Sequence, residues 1–146
     1  MVVRPIGINH IAFQVRDLDA ALVWYERFFV VTLRGRRRQM AWIDLGDQFI
    51  ALSEGEIEAP DRSRHVGLAV DDKEALRAAL RSAGVPVRES GSLRVTDPSG
   101  NQLEIVDYRD VQFSKTDAVL RGMGIGELPK SDAATDELRA KGLLSD

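Results

Sequence analysis

The stretch Ile8-Asn9-His10-Ile11-Ala12-Phe13-Gln14-Val15 alternates in character, and so does Arg64-His65-Val66-Gly67-Leu68-Ala69-Val70, in which His65 follows His10 by 55 positions. A period of two marks a β-strand. In the first run Ile11, Phe13 and Val15 share one face, and His10, Ala12 and Gln14 share the other. In the second, Val66, Leu68 and Val70 oppose His65, Gly67 and Ala69. The chain has only two histidines. The reading puts each of them mid-strand, away from the large apolar side chains and beside small neighbours. Such a setting leaves room around an imidazole for something other than protein.

The repeat extends beyond the two strands. Asp17 and Asp71 or Asp72 suit helix N-caps, because a short carboxylate accepts an orphan backbone N–H. Asp19 and Glu74 suit the positive end of the helix dipole. Ala21, Trp24, Tyr25 and Phe28 then recur at helical spacing, as do Leu76, Ala79, Leu80 and Ala83. Gly84 and Pro86 stop the second helix. Three further strands follow each helix: about 31–37, 40–45 and 48–52 in the first copy, and about 85–89, 93–97 and 102–107 in the second. Gly46-Asp47 reads as a tight hairpin turn and Pro98-Ser99-Gly100-Asn101 as a longer one. Each half is therefore β-α-β-β-β. The expected fold is α+β, with two such modules at about 6–53 and 64–108 in one domain over 1–110. Residues 53–64 form the linker between them, and a short helical tail occupies 111–146. In the tail, residues 117–121 form one or two helical turns. Residues 131–141 form a capped helix that Gly142 ends.

The bulk properties exclude several classes. At 146 residues and a formal charge of −3, the chain has one domain's length and no general attraction to nucleic acid or anionic lipid. It has no cysteine, hence no disulfide framework and no thiolate metal site. No signal-peptide pattern or membrane-length apolar run is present, so a cytoplasmic protein is expected. H-E-x-x-H, Walker and G-x-S-x-G motifs are absent, and Gly122–Gly126 lacks the spacing of a nucleotide-binding loop.

The last strand of the second half alternates Gln102, Glu104 and Val106 against Leu103 and Ile105. Glu104 alone reads as a solvated residue on a strand. Together with His10 and His65, on strands that a twofold repeat pairs, it reads as a ligand. Two imidazoles and a carboxylate suit a divalent iron, manganese, zinc or nickel ion. Three protein ligands leave positions open for water or substrate, as catalysis requires. Aligned on the turn glycines, Ile50 is the first-half counterpart of Glu104 and cannot ligate. Gln48 is a weak candidate for a further contact.

The segments His10-Ile11-Ala12-Phe13-Gln14-Val15-Arg16-Asp17-Leu18 and Asp97-Pro98-Ser99-Gly100-Asn101-Gln102-Leu103-Glu104-Ile105 resemble the vicinal oxygen chelate superfamily. That group includes glyoxalase I, bleomycin-resistance proteins, fosfomycin-resistance enzymes and extradiol dioxygenases. The resemblance covers about residues 6–108. It implies paired βαβββ modules curled into a half-barrel around a metal held by His10, His65 and Glu104. The implied activity is that of a metal-dependent lyase, isomerase, transferase or dioxygenase acting on a small molecule with vicinal oxygens. Ile50 argues against an ordinary four-ligand glyoxalase I. The rival reading is a non-catalytic, drug-sequestering protein of the bleomycin-resistance type. Homodimers are common in the family, so the resemblance also implies a homodimer, with neither nucleic acid nor membrane as partner.

Gln14, Gln48, Trp42 and Arg94 are weak substrate-binding candidates. Gln14, Asp44 and Arg94 fall on inward strand positions where a general base could sit. Arg34-Gly35-Arg36-Arg37-Arg38 reads first as a charged edge strand that deters aggregation. The functional alternative is recognition of an anionic substrate by guanidinium groups. Strict alternation puts Arg34, Arg36 and Arg38 on one face and Arg37 on the other.

Overall fold

Two aspartates start the helices as their positions predict. Asp17 accepts from Ala20 N at 2.8 Å, and Asp72 accepts from Ala75 N at 2.8 Å. A second carboxylate completes each cap. Glu54 Oε2 accepts from Leu18 N at 2.9 Å, while Asp107 accepts from the backbone N–H of Lys73. Each helix thus begins on the carboxylate that ends its module's last strand, which satisfies donors with no partner inside the helix.

The computed structural model describes residues 3–59, 61 and 63–144. The chain divides into two units, Met1–Ala59 and Pro60–Asp146. The first comprises β1 (His10–Val15), α1 (Leu18–Phe28), β2 (Thr32–Arg37), β3 (Met40–Asp44) and β4 (Phe49–Glu54). The second comprises β5 (Val66–Val70), α2 (Lys73–Ser82), β6 (Val87–Arg88), β7 (Leu93–Thr96) and β8 (Gln102–Asp107). A 3-10 turn (Tyr108–Asp110), α3 (Asp117–Gly122) and α4 (Asp132–Ala140) follow. The sheets have orders β1-β4-β3-β2 and β5-β8-β7-β6. In each, the first and last strands of the module pair in parallel and the other pairs are antiparallel. The α+β class, the two βαβββ modules and the helical tail are as expected.

One face of each sheet packs on its helix. Phe13, Val15, Ile43, Ile50 and Leu52 are buried in the first unit with Leu18, Ala21, Leu22 and Tyr25 of α1. Leu93, Val95, Leu103 and Ile105 are buried in the second with Leu76 and Leu80 of α2. Leu103 is fully buried. Leu103→Ala should destabilise the chain by about 2–5 kcal/mol through lost burial and a cavity, read as a lower urea midpoint. An unchanged midpoint would show that this face carries little of the core.

The boundaries differ from expectation in four places. His10 opens β1 and His65 immediately precedes β5, so neither is mid-strand. The backbone before β5 is instead held by a side chain, since Gln102 Nε2 donates to Asp61 O at 2.7 Å. β4 continues to Glu54, where Glu54 N bonds Gln39 O at 2.8 Å, so the connection between modules starts later than residue 53. Pro60 and Arg62 of that expected linker lie outside the described residues. β6 shrinks to two residues because Val85 N is taken by Leu80 O at the end of α2 and Pro86 has no N–H to donate.

The tail closes on the second unit. Ser131 N donates to Arg109 O at 2.9 Å, and Leu120, Ala134 and Leu138 are buried. Lys130 Nζ donates to Tyr108 O and Phe113 O and lies 3.4 Å from the Tyr108 ring centroid. Burial holds its pKa below the ordinary lysine value. Among the described residues no helix is long and apolar enough to cross a membrane.

Candidate functional site

Register places Glu104 on the helix-free face of the second sheet. It pairs with Gly67 of β5 on one side and Arg94 of β7 on the other, and Leu103 and Ile105 beside it point to the core. His65 Nε2 lies 2.8 Å from Glu104 Oε2, and Arg94 Nη2 lies 3.2 Å from the same oxygen. The His65 and Glu104 side chains are 35% and 23% exposed, reachable from solvent yet partly sheltered. A Cβ built on Gly67 would meet nothing within 4 Å. The surface beside the imidazole and carboxylate is therefore open.

This donor pair fits a metal. Two cis ligands, each about 2.1 Å from one ion, lie about 3 Å apart. The 2.8 Å between His65 Nε2 and Glu104 Oε2 is that of a hydrogen-bonded pair and lies close to that spacing as well. Arg94 donates to the carboxylate and so orients it, as outer hydrogen bonds do for metal ligands.

His10 occupies the corresponding place in the first unit, on the helix-free face with Ala12 and Gln14. It pairs in register with Phe49, and the two rings stack at 4.7 Å with 6° between their planes. Asn9 Oδ1 lies 2.8 Å from His10 Nδ1. A proton on Nδ1 shared with Asn9 leaves the Nε2 lone pair free for a metal. Within either unit, the described residues include no group of three or more His, Asp or Glu placed to hold a metal ion. The second unit brings together His65 and Glu104, and the first unit carries His10.

The register also corrects the assignment of Ile50. His10 pairs with Phe49 and Ala12 with Ala51, whereas Gly67 pairs with Glu104. Ala12 is the repeat equivalent of Gly67, so Ala51 is the counterpart of Glu104. Ile50 is buried on the helix side. Ala51 has no ligating atom either.

Two of the weaker candidates hold backbone. Gln14 Nε2 donates to Glu56 O at 2.9 Å, and Gln48 Nε2 donates to Ile8 O at 2.7 Å, just ahead of β1. Asp44 opposes Phe49 on the helix-free face. Trp42 lines a cavity of about 430 Å³ with Arg34, Gly35, Arg36, Arg37 and Phe49. The arginine strand departs from simple alternation. The β2–β3 register shifts between Leu33 and Gly35, leaving Arg34 as a bulge. Arg34 then lies over Phe49 at 4.8 Å and Arg37 over Trp42 at 5.8 Å, while Arg36 is bonded to Asp19 of α1. Arg34 and Arg37 thus share one face and Arg36 takes the other. Alternation alone did not reveal the bulge; Gly35 inside a strand was the one signal for it.

The profile of the Glyoxalase/Bleomycin resistance protein/Dioxygenase superfamily matches residues 7–105. The chain belongs to this superfamily. It is 28% identical over 111 residues to "Glutathione transferase FosA" of Serratia marcescens, covering 68% of this chain and 79% of the relative. It is 27% identical over 116 residues to "Metallothiol transferase FosB" of Bacillus licheniformis, covering 70% and 75%. Among solved structures it resembles the fosfomycin resistance protein FosX of Listeria monocytogenes, with TM-score 0.61, 15% identity, and coverage of 70% of this chain and 91% of that one. A mutant of that protein has been solved with Mn(II) and 1S,2S-dihydroxypropylphosphonic acid. The structural likeness shows the shared fold, built from βαβββ modules.

Proposed function

We propose that the chain is a divalent-metal-dependent enzyme acting on a small molecule with adjacent oxygens, with His10, His65 and Glu104 as the metal ligands. The observation that carries this reading is the 2.8 Å approach of His65 Nε2 to Glu104 Oε2 beside open space at Gly67. His10, on the matching face of the first module, supplies the third ligand. The named activities of the two transferase relatives support group transfer as the reaction type, with a thiol as one substrate. The Mn(II) and vicinal diol in the FosX complex support manganese and a chelating pair of oxygens.

A bound dication would polarise the substrate oxygens and stabilise negative charge that develops there. The residues of the chain do the rest. Glu104 sets the charge of the site, Arg94 keeps that carboxylate oriented, and Gly67 leaves the approach clear. Ala51, where a fourth ligand would otherwise project, keeps the protein ligand count at three.

The test is elemental analysis of protein purified without chelator, followed by turnover assays with diols, thiohemiacetals and catechols, each with and without a thiol. About one divalent ion per chain is expected, falling below about a tenth of that in His65→Ala once a ligand is lost. Protein that holds no metal and takes up none of manganese, zinc, iron or nickel would overturn the proposal. Metal without turnover of any of these substrates would make the chain a binding protein.

A further inference from the structure

We infer that Arg34 and Arg37 form an oxyanion-binding site on the first unit, which selects small molecules carrying a carboxylate or phosphoryl group. The inference rests on the preceding reading only in taking that anion to be part of the enzyme's substrate. Its structural grounds are independent of any metal.

Three observations converge. The first is the bulge at Arg34. Without it, Arg34 and Arg37, three residues apart on a strand, would point to opposite faces. The extra residue puts both on the helix-free face, beside Trp42 and Phe49. Bulges commonly re-aim side chains in this way beside functional sites.

The second is charge. Among the described residues neither Arg34 nor Arg37 is paired with a carboxylate, whereas Arg36 between them is bonded to Asp19. In a chain of net charge −3, two unneutralised guanidinium groups at one cavity are a local exception. Each is steadied by an aromatic ring instead of an acid, at 4.8 Å for Arg34 on Phe49 and 5.8 Å for Arg37 on Trp42. A cation held over a ring spends no hydrogen bond on it and so keeps its N–H donors for an oxyanion.

The third is space. The cavity of about 430 Å³ is of small-molecule size. Gly35 keeps it open, because a Cβ there would already stand 3.6 Å from Trp42 and a longer side chain would lie across the indole. Phe49 links the cavity to the proposed metal ligand. The same ring carries Arg34 and stacks with His10. An anion held by the two arginines would therefore lie near the His10 end of the sheet. A solvated edge strand explains the charge but not the bulge, the bare glycine and the two aromatic props together.

The test is calorimetric titration of the full-length chain with phenylphosphonate, benzoate and the neutral benzyl alcohol, at low salt. Phenylphosphonate or benzoate is expected to bind, and benzyl alcohol at least tenfold more weakly. The tighter of the two anions identifies the group the site takes. Arg34→Gln with Arg37→Gln should weaken anion binding tenfold or more. Gly35→Leu, which keeps both charges, should do the same by filling the cavity. The metal content of both variant chains should match the wild type. Repeating the titration in His65→Ala separates the two proposals, because the arginine effect should persist there whatever happens to the metal. Equal anion binding by wild type and the double-glutamine chain, or equal binding of benzyl alcohol and the anions, would overturn the inference.

Discussion

Glu104→Gln is expected to lower the affinity for a divalent ion by about 100-fold or more while leaving the fold intact. Loss of an outer hydrogen-bond partner to a metal ligand typically costs about 10–100-fold; loss of the only anionic ligand should exceed that. The amide keeps the size of the side chain, and the strand is anchored by Leu103 and Ile105, which face the core. What changes is charge. The carboxylate oxygen that now accepts from Arg94 at 3.2 Å and approaches His65 at 2.8 Å disappears. Arg94 is then left uncompensated beside an incoming dication. Arg94→Gln should act in the same direction but less, lowering metal affinity about 10-fold, since it removes the donor that orients the carboxylate and keeps the anionic ligand. Competition with a chelating dye measures both, and thermal melting checks the fold. A Glu104→Gln chain that kept wild-type metal affinity would remove Glu104 from the site and the enzyme reading with it.

Much of this architecture was readable from residue order because the repeat is written in chemistry that acts locally. Asp17 and Asp72 cap helices wherever they occur before an amphipathic run, and Gly84 and Gly142 sit past helix ends at φ 68° and 67°. Glu104 was legible because an acid alternating with Leu103 and Ile105 has to face away from the core. What escaped depends on pairing between strands. Alignment on Gly46 and Gly100 displaces the counterpart of Glu104 by one residue, because the hairpin between Asp44 and Phe49 is shorter than that between Thr96 and Gln102. The offset between modules is 55 at the first strand but 53 at the last, as the pairs His10–Phe49 and Gly67–Glu104 show. One residue of slip exchanges the two faces of a strand, and Ile50 went to the wrong one. The bulge at Arg34 had the same effect on the arginine strand. The roles of Gln14, Gln48 and Gln102 were hidden for another reason. Each bonds a carbonyl roughly 40 residues away along the chain, and no local pattern encodes such a partner.

The matching last-strand carboxylates lead to a prediction about acid stability. Asp107 is 5% exposed and accepts from Arg109 through its backbone N, Nε and Nη2, at 2.9, 2.8 and 2.7 Å. The Arg109 side chain, together with backbone donors, pulls the Asp107 pKa from 3.8 down to about 2, against the opposing effect of burial. The folded state therefore releases this proton more readily than the unfolded chain does. The resulting stabilisation is complete above about pH 4. It is lost as pH falls from there through about 2, where the folded carboxyl is itself protonated. The full shift would correspond to about 2 kcal/mol. Arg109 is 46% exposed, so solvent screening reduces the expected value to about 1–2 kcal/mol. Asp107→Asn removes the charge, weakens the cap on Lys73 and sets an amide N–H₂ against the Arg109 donors. Urea unfolding should show the variant less stable than wild type by about that amount at pH 7. The gap should close as pH approaches 2, and taking the difference between the two chains cancels the other carboxylates that titrate over the same range. A gap that stayed constant from pH 7 to pH 2 would mean that Asp107 acts by shape and hydrogen bonding alone, with its charge contributing nothing.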